Sequence, residues 1–145
     1  MIWNRLLPVL TLIALTCGAS AHAQADAAEE PRLVAALFRS NWCGPCKILE
    51  PRYEQVMAGY GEAPLEQVRF DSSFGRRGAL AERASAEGIR SVYDATSGAT
   101  GFVLLIDRDT QDVLARITVE YSEADIAGAL DYALALIEDR EAFGL

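Results

Sequence analysis

Histidine is almost missing from this chain: His22 is the sole one. Cysteine is sparse as well, with only Cys17, Cys43 and Cys46. A structural zinc site wants four nitrogen or sulfur ligands, and two cysteines without a histidine past residue 22 cannot supply them. Copper delivery by a cysteine-plus-histidine set fails on the same count, so no metal or other cofactor is expected. Proline stops at Pro64. Basic residues number 13 against 21 acidic ones, a net charge of −8. That balance speaks against nucleic acid as a partner, because binding a polyanion rests on neutralising phosphates. Repeats and low-complexity tracts are absent too, and 145 residues fit one domain.

What is present begins with an N-terminal segment, residues 1–25, that reads as a signal peptide. Arg5 supplies the short positive region and Leu6 to Leu15 the apolar one. Ala21-His22-Ala23 and Ala23-Gln24-Ala25 both have the small-x-small form of a cleavage site. The competing reading is an uncleaved membrane anchor, but Pro8, Thr11, Thr16 and Gly18 interrupt a run that is short for a spanning helix. Cys17 follows Ala14-Leu15-Thr16, a poor match to a lipid-attachment site, and is assigned to the discarded segment. Loss of Arg5 leaves twelve basic against 21 acidic residues, a net charge of −9. The expected location is periplasmic or otherwise extracytoplasmic. In such a compartment a disulfide is permitted, and a reduced dithiol must be maintained by something else.

Residues 26–32 are polar and read as a flexible lead, 33–140 as the domain and 141–145 as a tail. Leu33 to Phe38 is a continuous apolar run, the pattern of a strand buried on both faces. Helical character starts at the cysteines and continues past Met57, with Ile48, Tyr53, Val56 and Met57 on one side. Pro51 is expected to kink that helix. Val68 to Asp71 reads as a second strand and Ala79 to Gly88 as a second helix. "IRSVYDATSGATG" reads as a long irregular connection. Phe102 to Asp107 is the strongest strand signal, and the alternating Val113 to Glu120 follows after a turn. Ser122 with Asp125 is a capping-box pattern opening a helix whose stripe is Ile126, Leu130, Ala133, Leu134 and Ile137. The order β-α-β-α-β-β-α implies crossover connections with parallel strands early and a hairpin late. That makes an α/β fold, one mixed central sheet with helices on both faces.

The chemistry concentrates in "NWCGPCK". A cysteine that ends a buried strand and opens a helix meets unpaired backbone N–H groups and the positive end of the helix dipole, and both favour its thiolate. Three-residue spacing brings Cys46 into disulfide range of Cys43. Gly44 lets another chain approach closely, and Pro45 is tolerated where the first turn has donors to spare. Trp42 offers a flat apolar surface beside the thiol, or simply packs against the loop. A purely structural disulfide is the competing reading, but closing so short a loop removes little entropy from the unfolded chain.

With Pro51 five residues after the second cysteine, a buried strand before the first and "GIRSV" (Gly88 to Val92) further on, the chain from about Leu33 to Ile137 resembles the thioredoxin superfamily. The resemblance implies a thioredoxin-like fold and a thiol–disulfide oxidoreductase. Cys43 and Cys46 would be its catalytic pair, with Trp42, Gly44, Pro45, Thr100 and Gly101 at the substrate. Its partners would be protein or small-molecule disulfides and thiols. Reduction is favoured over oxidation because Gly-Pro between the cysteines is typical of reducing members. An exported reductase would need a membrane electron donor, and a monomer is expected. Two departures bear on this. The family usually carries a cis-proline facing the cysteines; here Tyr93, Thr100 or Gly101 takes that position. Thr100 is favoured on spacing, and the peptide is expected to be trans. A buried Asp six residues before the first cysteine is often present in the family; here it is Leu37, so Cys46 would rely on water or a nearby acid such as Glu50. Both departures also support the alternative, a binding or scaffold module with this fold and little redox turnover.

Overall fold

A computed structural model describes residues 30–144. The expected signal peptide, with Arg5, Cys17 and His22, lies outside the described residues. Strand β1 (Leu33–Arg39) leads through a short loop into α1 (Cys46–Met57), which ends in a 3₁₀ turn at Ala58–Tyr60. Then follow β2 (Leu65–Asp71), α2 (Arg77–Ala86), α3 (Arg90–Ala95), β3 (Phe102–Asp107), β4 (Val113–Thr118) and α4 (Glu123–Phe143). The sheet order is β2-β1-β3-β4. β1 and β2 are parallel, joined by the α1 crossover; β3 is antiparallel to both β1 and β4.

β1 is apolar throughout because both of its faces are covered. Leu33, Ala35 and Leu37 point into a core closed by α1 and α4, where Leu49, Tyr53, Ile126 and Leu130 are buried. Val34, Ala36 and Phe38 point the other way, into a core closed by α2 and α3 through Ala84, Ile89 and Val92. Period-two alternation therefore divides one strand between two cores. At the end of β1 an aromatic stack supports the following loop. Phe38 lies 5.0 Å from both Phe70 and Phe102, and Tyr93 lies 5.1 Å from Phe70, centroid to centroid. The thioredoxin-like α/β fold expected from the sequence is the observed one.

Several expectations need correction. The connection after α2 is not irregular: it contains α3. Gly88, with φ +69°, turns the chain between the two helices in the left-handed region that glycine adopts without strain. Two successive helices return the chain to the end of the sheet it left, so β3 runs antiparallel where a single crossover would have made it parallel. Ile48 is exposed, and Leu49 takes its place in the core beside Cys46, Tyr53 and Met57. α1 continues as one helix across Pro51, which is itself exposed. β2 begins three residues earlier than expected, and β4 ends at Thr118. α4 runs through Phe143, capped by Gly144, so the expected tail is largely helix. The lead is held at its end: Arg32 reaches Asp107 and Glu30 reaches Arg108. The capping box at Ser122 and Asp125 is present as expected.

Candidate active site

The parallel pairing of β1 with β2 ends at Arg39, and its antiparallel pairing with β3 ends at Phe38. The chain leaves the sheet there and has six residues before α1 begins. Cys43 sits in that turn, its N–H donating to the Ser40 carbonyl at 3.2 Å. Cys46 is the first helical residue, after Pro45 at φ −56°. The helix thus opens at the second cysteine, one turn later than the sequence implied. Its first orphan donors have no capping side-chain oxygen; instead the Cys46 N–H points at the Cys43 Sγ, 3.1 Å away. Sulfur occupies the place of a helix cap, where a thiolate would be favoured by hydrogen bond and dipole together.

Cys43 and Cys46 are joined in a disulfide with Cα atoms 5.3 Å apart, inside the usual range for such a bond. Both are buried, Cys46 more fully, at 1% exposed against 9% for Cys43. Cys43 is therefore the sulfur nearer to solvent. Trp42 is 80% exposed, so of its two readings it is the one free to meet a partner. Gly44 and Pro45 are exposed, and a Cβ at Gly44 would meet nothing within 4 Å.

The three candidates for the family's proline position separate. Tyr93 belongs to the aromatic stack. Thr100 lines a groove beside Trp42. Gly101 is the residue against the sulfur: a Cβ there would lie 3.2 Å from Cys43 Sγ and 3.2 Å from Pro45 Cβ. Its N–H donates to the Phe38 carbonyl at 2.8 Å, and its φ of +95° lies where other residues are strained. No peptide bond among the described residues is cis. Gly101→Ala should cost on the order of 1–3 kcal/mol in the oxidised protein, read by urea unfolding, while Thr100→Ala should be nearly neutral. Equal stability of the two variants would show that the Gly101 backbone does not press on the disulfide.

Below the loop lies a polar network that the sequence did not suggest. Arg39 donates from Nε to Glu50 at 3.0 Å, to Asp71, and from Nη2 to the Asn41 side chain at 3.1 Å. The Asn41 N–H donates to Ser73 Oγ at 2.8 Å, and the Ser73 N–H to Asp71 at 2.9 Å. Burial would raise the Asp71 carboxyl, but the Ser73 hydroxyl and N–H, with the Arg39 guanidinium, hold it below the usual carboxylate range. This lattice fixes the residues that lead into Trp42 and Cys43. Glu50, the acid expected to serve Cys46, has its two carboxylate oxygens engaged by Arg39 and Arg69. Leu37 is buried in the α1–α4 core. The buried polar residues among those described are Ser73 and Asp107, and Asp107 closes the opposite end of β3.

Comparison with known proteins agrees with this geometry. A family model described as thioredoxin matches residues 15–79, which takes in β1, the cysteines, α1, β2 and the start of α2. The chain is 32% identical over 63 residues to thioredoxin-1 of Schizosaccharomyces pombe, covering 43% of this chain and 54% of that protein. It is 40% identical over 40 residues to thioredoxin H7 of Arabidopsis thaliana, covering 28% and 31%. It is also 45% identical over 40 residues to a peptide-N(4)-(N-acetyl-beta-glucosaminyl)asparagine amidase of Caenorhabditis elegans, covering 28% and 7%. The chain thus spans about half the length, or less, of the curated relatives it matches.

Proposed function

We propose that this chain, which belongs to the thioredoxin superfamily, is an exported reductase of protein disulfides working through Cys43 and Cys46. The family is one of thiol–disulfide oxidoreductases; the direction, the partners and the location are our reading. In the reduced state the Cys43 thiolate attacks one sulfur of a partner disulfide. A Cys43–partner bond forms and the partner's other sulfur leaves as a thiolate. Cys46, after losing its proton to water, attacks Cys43 Sγ. The mixed disulfide breaks, the second partner sulfur leaves, and the Cys43–Cys46 disulfide remains. Two electrons have passed to the partner, whose thiolates take up protons from solvent. Turnover then requires a dithiol donor, which for an exported protein would be a membrane protein. We further propose that residues 1–25 are removed on export and that the mature protein is monomeric.

The observation that supports this reading best is the Cys43 sulfur at the mouth of α1, accepting the Cys46 N–H at 3.1 Å and being the more exposed of the pair. Stabilising the thiolate stabilises the reduced form and a leaving group alike, so the redox potential has to decide direction. Equilibration with a thiol buffer should give a value near about −270 mV, the reducing end of the scale for such proteins, and not near about −120 mV, the oxidant end. A value at the oxidant end would reverse the proposed direction and leave the chemistry.

A further inference from the structure

Next to the cysteine loop lies a groove of about 600 Å³, lined by Ser40 and Trp42 just before Cys43, by Gly98 and Thr100 just before Gly101, and by Arg77 at the start of α2. Arg77 projects its guanidinium toward Gly98, within 3.5 Å of where a Cβ there would be. No carboxylate, carbonyl or ring of the described residues holds it, and the same is true of its neighbour Arg76. The other described arginines are committed. Most pair with carboxylates; Arg52 donates to the Val119 carbonyl and Arg116 lies over Phe102. Asp94 also lines the groove, but Arg90 neutralises it at 2.8 Å. The groove therefore carries local positive charge on a molecule whose net charge is −8.

Stability does not explain this placement. Arg76 caps the start of α2 and Arg77 is its first residue, with no acidic residue in the first turn, where the helix dipole disfavours a cation. Lys47, directly after Cys46, is a third cation without a partner among the described residues, and it too is exposed. On the outer side of the same loop Phe74 is 74% exposed and borders Arg76. Of the uncommitted cations among the described residues, Lys47 follows the redox loop directly and Arg77 shares a groove with its exposed Trp42.

We propose that this groove selects protein clients in which an Asp or Glu lies a few residues from the reactive cysteine, and that Arg77 is the specificity-determining residue. The proposal rests on the redox reading of Cys43 and Cys46. An extended segment entering past Trp42 would bring its cysteine to Cys43 while its carboxylate meets the Arg77 guanidinium, a planar donor that carboxylates match in two hydrogen bonds. The field of the whole acidic molecule makes the opposite prediction, a preference for basic clients. Local and global electrostatics therefore disagree, and the sign of the preference tells which governs.

The test uses the oxidised protein and two peptides of equal length with serine in place of cysteine, one flanked by Asp and one by Lys. The Asp peptide should bind about fivefold more tightly at low ionic strength, as a half-exposed ion pair allows, and the gap should close in 1 M salt. Arg77→Met should abolish the preference. Arg83→Met, the same change of charge further along α2 and outside the groove, should preserve it. Equal binding, a preference for Lys, or a preference that survives Arg77→Met would overturn the proposal. The cysteine forms of the peptides, joined as disulfides to a small thiol and offered to the protein with its Cys43–Cys46 dithiol first reduced, separate the two readings. Selective binding without reduction would reject the redox function and keep the groove; reduction at equal rates would reject the groove and keep the redox function.

Discussion

Cys43→Ser should reduce disulfides no faster than solution without protein, whereas Cys46→Ser should accumulate a covalent complex with its partner. The asymmetry comes from position. Cys43 holds the sulfur at the helix mouth, nearer to solvent, against Gly101 and directly after the exposed Trp42. A serine hydroxyl there has no accessible anion and cannot open a disulfide. Cys46 is covered and within bonding range of Cys43, so it can reach a mixed disulfide on Cys43 but not a foreign one. Without it the first step proceeds and the second does not. Trapping of partners by Cys46→Ser, resolved on a non-reducing gel and reversed by added thiol, checks the order of attack. Wild type no faster than Cys43→Ser would leave the alternative, a binding or scaffold module that keeps the fold without the turnover. Alkylation of the reduced protein gives an independent readout. Cys43 should remain reactive well below the ~8.5 at which a free cysteine is half ionised, because the Cys46 N–H and the opening of α1 both favour its anion.

The parts of this site that were legible in the sequence are those written in contiguous residues. An apolar run long enough for one strand, followed at once by two cysteines at helical spacing, announces a buried strand, a loop and a helix start. The structure has them within a few residues of the expected places. α3 was missed because six residues with one buried apolar side chain, Val92, carry no helical period. Its omission also cost the direction of β3, since one helix and two helices return a chain to opposite ends of a sheet. Gly101 was ambiguous for another reason. Without a proline to mark the position, only the measured approach to Cys43 Sγ separates it from Thr100. The clamp of Arg39 on Glu50, Asp71 and Asn41 joins residues from β1, the cysteine loop, α1 and the end of β2. Pairing across such distances leaves no local signal. Arg77, between the expected second strand and second helix, carries no local signal for the same reason: an unpaired cation is recognised only once the partners of all the others are known.

Asp107→Asn should be the most damaging single change to stability, costing about 3–5 kcal/mol at neutral pH, as removal of one member of a buried charge cluster does. Asp107 ends β3 and has no solvent exposure. It accepts from Arg32 Nε and Nη2 at 2.8 and 2.9 Å and from Arg140 near the end of α4. The Arg32 side chain is only 9% exposed, so the substitution leaves a guanidinium that water can barely reach with the mostly exposed Asp109 as its remaining acid. Three segments meet here: the lead into β1, the end of β3 and the last turns of α4. Arg140→Ala should cost less, since its side chain is 22% exposed and its loss leaves the Arg32 pair intact. Burial alone would raise the Asp107 carboxyl, but the hydrogen bonds from Arg32 and Arg140 outweigh it and hold it well below the usual carboxylate range. A carboxyl whose folded-state pKa is depressed contributes its stability in full above the unfolded value of about 3.9. That contribution drains away as pH falls from there toward the folded value. Urea unfolding of the oxidised protein should therefore show wild type and Asp107→Asn far apart at pH 7, and the gap should narrow on acidification below about pH 4. A gap that is small at pH 7, or that stays constant to low pH, would mean that the two arginines are held by other acids. Asp109 and Asp112, which also contact them, would then carry the junction.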